Sequence, residues 1–285
     1  MYKAFKLNAT SPELEDLFES MGYGTETLKA QGQSRKTVLT REYKDILYKS
    51  IDDNGVIVGE QFIKEWFPVN RMYDVFISYS HDDADLALKL VGFLVQYFGL
   101  NVFIDETVWG SADTLIKQLN DTYNEPTNGA YNCRDYDFYS SHVHVMLTTA
   151  IMKAIDQSEI VIFINTNNST YTIGSKIDDS RTKSPWIYEE IYITSIIKET
   201  AFEIYRNGGK AYFENQTINS AKDISYKLPD NKLIPINELT LRKWCMKWKE
   251  RKTDSGNSRY GKIFCDKSDH PLDILYKSVV EKGVL

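Results

Sequence analysis

With 285 residues, 42% of them hydrophobic and 26% charged, the chain carries enough apolar material for a sizeable core, which excludes a disordered polymer. The length suits one large domain or two. A net charge of −6 with no basic block argues against a nucleic-acid groove.

The three cysteines, Cys133, Cys245 and Cys265, form no CxxC pair, and an odd number makes no disulfide framework. Reduced thiols in a cytoplasmic protein are the expectation. The start, Met1-Tyr-Lys-Ala-Phe-Lys6, has no apolar signal core, and no window reaches the length of a membrane span.

Residues 1–70 read as a small, mostly helical accessory region. Thr10-Ser-Pro-Glu13 is a capping box with proline in the first turn, and Leu14, Leu17 and Phe18 follow at helical spacing. Gly22 and Gly24 bracket its stop. A second helix is expected over 39–50, then a turn at Asp52-Asp-Asn-Gly55 and a helical stretch from Gln61 to Trp66. The boundary is placed near Pro68.

From residue 71 the pattern changes. Tyr73-Asp-Val-Phe-Ile-Ser-Tyr79 is a buried strand by length and composition. Ser80-His-Asp-Asp83 starts a helix that Gly99 closes, and Leu100 to Asp105 is the next strand. That unit predicts a parallel pair with a right-handed crossover. A helix over Ala112 to Tyr123 follows, and Asn124 to Ser141 reads as a long polar loop. His142 to Gln157 is helical and Glu159 to Asn165 is a third strand. Beyond a polar loop over 167–183, Ser184 caps a helix with Pro185 in its first position. Residues 201–231 have weak pattern. Lys232 to Asn237 is a strand whose Pro235 marks a sheet edge or a strand end. Trp244 and Trp248 anchor a short helix, Tyr260 to Cys265 reads as a last strand, and Pro271 to Lys282 closes the chain as a helix. The alternation predicts an α/β, flavodoxin-like, doubly wound parallel sheet over 71–285, with insertions at 106–141 and 201–231.

The helix after Ser184 holds the unusual residue. Trp186 and Glu190 lie four apart, and Ile193 and Ile197 continue their stripe. A carboxylate there has two readings. One is an acid near a helix start whose head reaches water. The other is a functional group, because ligands of such sheets bind beyond the carboxyl ends of the strands. Those ends are Ser78 to His81, Asp105 to Gly110, and Asn165 to Thr166, and the helix begins just past the third.

Four motifs now line up between residues 73 and 190. Tyr73 to Tyr79 resembles the opening strand of a Toll/interleukin-1 receptor (TIR) domain, and Val102-Phe-Ile-Asp105 is similar to that family's second strand. Glu159 to Ser169 looks like its third strand and the turn after it. Ser184-Pro-Trp-Ile-Tyr-Glu-Glu190 resembles its Ser-x-Trp-x-x-x-Glu box. The resemblance spans 73–285 and implies one of two functions. Many animal TIR domains are binding scaffolds, whereas many bacterial and plant ones cleave NAD+ at the nicotinamide–ribose bond. In the enzymes the box glutamate is catalytic, here Glu190.

The resemblance therefore implies an NAD+ hydrolase or cyclase in bacterial antiviral defence. It would deplete NAD+ or release an ADP-ribose-derived signal for a downstream effector protein. NAD+ is then substrate, with no cofactor and no metal. The barrier is an oxocarbenium-like ribose that one carboxylate can stabilise. A flat cationic ring calls for an aromatic wall, for which Trp186, Trp109 and Tyr79 are candidates. The remaining strand-end residues, Ser78, Ser80, Asp105 and Gly110, complete the expected substrate contacts. The four histidines, His81, His142, His144 and His270, match no zinc spacing. Ser80 and His81 stand where enzyme relatives often carry basic residues, and Trp109-Gly110 leads into a longer segment than the family's short loop. Self-association through TIR contacts is a further implication. The rivals are a scaffold, which needs no glutamate at 190, and a phosphate receiver, which would use Asp82-Asp83 and Asp105.

Overall fold

The computed structural model describes residues 1–34, 43–69, 72–104, 112–124, 126, 130–172, 180–200, 226–227, 232–256 and 270–280. In chain order its elements are β1 (Lys3–Asn8), α1 (Ser11–Ser20), α2 (Thr25–Gln33), α3 (Tyr43–Lys49), α4 (Gly59–Trp66), β2 (Tyr73–Ser78), α5 (Ala84–Phe98) and β3 (Val102–Phe103). There follow α6 (Ala112–Tyr123), α7 (Cys133–Asp156), β4 (Ser158–Asn165), β5 (Tyr171–Thr172), β6 (Ser180–Thr182) and α8 (Pro185–Ile196). The last are β7 (Tyr226–Lys227), β8 (Ile234–Asn237), α9 (Glu238–Gly256) and α10 (Pro271–Val280).

Five strands form one parallel sheet in the order β3-β2-β4-β1-β8, and β5, β6 and β7 form a small antiparallel one. Side chains alternate between two apolar cores, as a strand's period of two requires. Phe5, Leu7, Val75, Ile77, Ile160 and Ile162 face a core shared with α1, α2, α5, α9 and α10. Ala4, Phe76, Phe103, Val161 and Phe163 face a core shared with α3, α4, α6, α7 and α8. Covering both faces is what a parallel sheet demands, and the expected α/β doubly wound architecture is present.

The N-terminal region is not a separate unit. β1 lies inside the sheet, with Phe5 level with Ile162 on one side and Ile234 on the other. α1 and α2 then pack on the first core. Measured from β2, the order matches the flavodoxin-like 2-1-3-4-5 at four positions, and β1 fills the place of the fourth strand. The capping box at Thr10 and Glu13 starts α1 as expected, and Gly22 follows it at φ 87°. α2, which the sequence reading did not separate, crosses α5 at backbone contact. A Cβ on Gly92 would lie 2.0 Å from the Leu28 carbonyl oxygen, and one on Gly32 2.2 Å from that of Leu88.

Three further boundaries differ. The polar stretch expected as a loop to Ser141 is helical from Cys133, where Asn132 accepts the Arg134 N–H at 2.9 Å as the N-cap. The second core strand is only Val102–Phe103. The helix carrying Trp244 and Trp248 is long, from Glu238 to Gly256. Among the described residues β8 is an edge strand, in keeping with its Pro235. The strand expected over 260–265 and most of 201–231 lie outside the described residues. Among the described residues, no helix is long and apolar enough to cross a membrane.

Candidate functional site at the carboxyl end of the sheet

The site is built where β2 ends and α8 begins its second turn. Thr182 Oγ1 accepts the Ser184 N–H at 3.1 Å, and Ser184 Oγ accepts that of Ile187 at 3.3 Å, which fixes the helix start. Pro185 takes the first helical position, where its missing N–H costs nothing. Ile187 and Ile191 then seat the helix on the second core. This orientation turns Glu190 inward, where it is 4% exposed.

Strand alternation supplies its partner. Phe76 and Ser78 share a face of β2, the face that α8 covers. Ser78, fully buried, donates its hydroxyl to Glu190 Oε2 at 2.5 Å. A bond to a carboxylate is short and strong, and it offsets part of the cost of burying a charge. The pair sits at the boundary between β2 and β4. The chain leaves β2 toward β3 on one side and leaves β4 toward β8 on the other, so this is a topological switch point.

Trp186, one turn earlier, is half-buried, with its ring 5.4 Å from that of His144 on α7. Glu189 is half-buried against the same helix. Burial pushes its pKa up, partly offset by a hydrogen bond from Thr148.

Of the residues anticipated from sequence, Glu190, Ser78 and Trp186 share this corner. Ser78 has its hydroxyl committed to Glu190, which makes it a support for the carboxylate. Tyr79 points to the opposite face and packs on the first core. Ser80 is buried and starts the short turn His81–Asp83, its carbonyl accepting the Asp83 N–H at 2.7 Å. Asp105, Trp109 and Gly110 lie outside the described residues.

A second feature at this end escaped the sequence reading. A cleft of about 640 Å³ opens beside the ends of β1 and β4, lined by Asn8, Thr10, Glu13, Asp82, Asp83 and Asn165 among others. Its lining is carboxylates, amides and hydroxyls with two apolar residues, Ala9 and Leu86, and among the described residues it holds no lysine, arginine or histidine to pair with a phosphate. Asp83 is built into the wall, accepting from Thr166 Oγ1 at 2.5 Å and Asn168 Nδ2 at 2.8 Å. That bonding also removes it as an open phosphate acceptor. Only a strand assignment for Lys3–Asn8 could have brought Asn8 to this rim. His144, considered in the sequence only for zinc spacing, comes to Trp186 through the packing of α7 on α8.

No protein-family model matches the chain, and no curated protein and no solved structure matches it either.

Proposed function

We propose that the chain is a TIR-type enzyme that cleaves NAD+ at the nicotinamide–ribose bond, with Glu190 as the catalytic carboxylate. The observation that supports this reading is the buried Ser78–Glu190 pair at the switch point of the sheet. A scaffold has no use for an ionisable group there, because burying a charge costs free energy that only a task or a compensating network returns. Buried acids at the carboxyl end of such a sheet are functional candidates on physical grounds.

The chemistry asks little beyond one anion. As the C1′–N bond breaks, its electron pair leaves with nicotinamide and positive charge develops on the ribose. The Glu190 carboxylate accepts hydrogen bonds from the ribose hydroxyls, in exchange for Ser78, and stabilises that charge. Water or another nucleophile closes onto C1′ and loses a proton, giving ADP-ribose or a cyclic or conjugated product. Trp186 offers a flat face for the nicotinamide ring. An antiviral role, a homo-oligomeric active form and an effector that reads the product belong to the same proposal.

The test is NAD+ turnover by the purified chain and by Glu190→Ala, with products resolved by mass spectrometry. Nicotinamide release that disappears in the variant supports the enzyme. Equal release by both proteins sinks the assignment of Glu190. Product mass separates ADP-ribose from a cyclic or conjugated signal.

A further inference from the structure

The opposite end of the sheet holds a second buried glutamate. Glu159, near the start of β4, is 2% exposed. Asp74 of β2 and His270, just ahead of α10, converge on it. One donor atom from each lies within 4.8 Å of the other two. We propose that Asp74, Glu159 and His270 form a binding site for one divalent transition-metal ion, of the zinc or manganese class.

Three features carry the inference. The first is placement, since the donors come from three separate elements, and no local turn would bring them together. The second is support around each donor. The Asn101 N–H donates to Asp74 Oδ2 at 2.6 Å, and Asp74 Oδ1 is the oxygen near His270 Nε2, at 3.4 Å. The Tyr276 hydroxyl donates to Glu159 Oε1 at 2.5 Å. Outer hydrogen bonds of this kind orient the carboxylate ligands of metal sites.

The third feature is charge. Two carboxylates face each other with one of them buried, and the imidazole of His270 can carry at most one compensating charge. The Met1 ammonium donates its hydrogen bond to the Asp156 carbonyl at 3.1 Å. A divalent cation matches the charge of two carboxylates.

The donor set of two oxygens and one imidazole nitrogen suits Zn²⁺ or Mn²⁺ rather than Mg²⁺ or Ca²⁺, which favour all-oxygen shells. Ligand bonds of about 2.1 Å require the donors to draw closer together by roughly an ångström. Binding through Nε2 also moves the His270 proton to Nδ1. That gives up a long contact in which Nδ1 accepts the Leu272 N–H at 3.4 Å. The ion would fasten the N-terminal end of α10 to the base of β2 and β4, at the far end of the sheet from Glu190.

The experiment uses the full chain, stripped with a chelator and titrated separately with Zn²⁺ and Mn²⁺. Retained metal is counted after gel filtration, and Co²⁺ absorption reports the ligand field. One ion per chain is expected. His270→Ala should weaken binding by more than about 100-fold, beyond the loss of an outer partner alone. Cys133→Ser, a change at an exposed thiol, should retain the ion. Circular dichroism confirms that each variant is folded, and Glu159→Gln serves as the second ligand variant. No retained ion, or equal retention by wild type and His270→Ala, overturns the proposal.

Discussion

The two ends of the central sheet solve one electrostatic problem in different ways. At the carboxyl end Glu190 is 4% exposed and takes a 2.5 Å bond from Ser78; at the amino end Glu159 is 2% exposed and takes a 2.5 Å bond from Tyr276. Burial and a hydroxyl donor are common to both, so neither property alone marks a catalytic group. The surroundings make the distinction. Glu190 sits at a switch point, one helical turn from a half-buried tryptophan. Glu159 faces a second carboxylate and an imidazole. The first setting suits a developing cation on a substrate, and the second suits a resident one.

The largest effect should come from changing one glutamate and reading turnover. Glu190→Gln keeps size and polarity but removes the charge, and NAD+ cleavage should fall by about 10²–10³-fold or more, the scale of losing one transition-state electrostatic partner. Retained turnover in that variant would erase the functional contrast between the two ends.

A smaller effect should come from the two hydroxyl donors. Ser78→Ala and Tyr276→Phe each leave a buried carboxylate with one donor fewer, so each should cost about 1–3 kcal/mol in urea unfolding. Their consequences for catalysis should separate. Ser78→Ala loosens Glu190 and should lower kcat, whereas Tyr276→Phe should leave turnover at the wild-type level. Equal loss of turnover in both would mean that the two ends are coupled through the sheet.

The same contrast explains what could be read from sequence. The strands 73–78 and 158–165 and the capped helix after Ser184 are locally consistent, with β-branched runs, a proline in the first helical position and an apolar stripe. Glu190 stood out because it breaks that stripe. β1 was hidden because Lys3 and Lys6 interrupt its apolar residues. In the fold their stems lie along the sheet while the heads reach Glu199 at 3.2 Å and Ser180 at 3.1 Å. The first two turns of α7 were hidden because most of residues 133–139 are exposed and show no apolar period. The amino-end cluster had no signal of its own. Asp74, Glu159 and His270 belong to three distant stretches, and only parallel pairing of β2 with β4 and the docking of α10 unite them.

The smallest predicted effect concerns Glu189, the neighbour that tests whether burial without a dedicated donor network is a burden. Its pKa is raised by burial, with the Thr148 hydroxyl opposing. A raised folded-state value means that the native chain holds this proton more tightly than the unfolded chain. The associated stability is present below the ordinary glutamate range and is lost as pH rises through the folded-state value. At neutral pH the acid is therefore a cost to the fold. Glu189→Gln removes the charge and can still accept from Thr148, so its urea midpoint should exceed that of wild type at pH 7. At a pH below the ordinary glutamate range both side chains are neutral and the difference should close. A midpoint gain that persists unchanged at acid pH would assign the effect to packing rather than to the buried charge. The position would then say nothing about how this helix separates the proposed catalytic carboxylate from its neighbour.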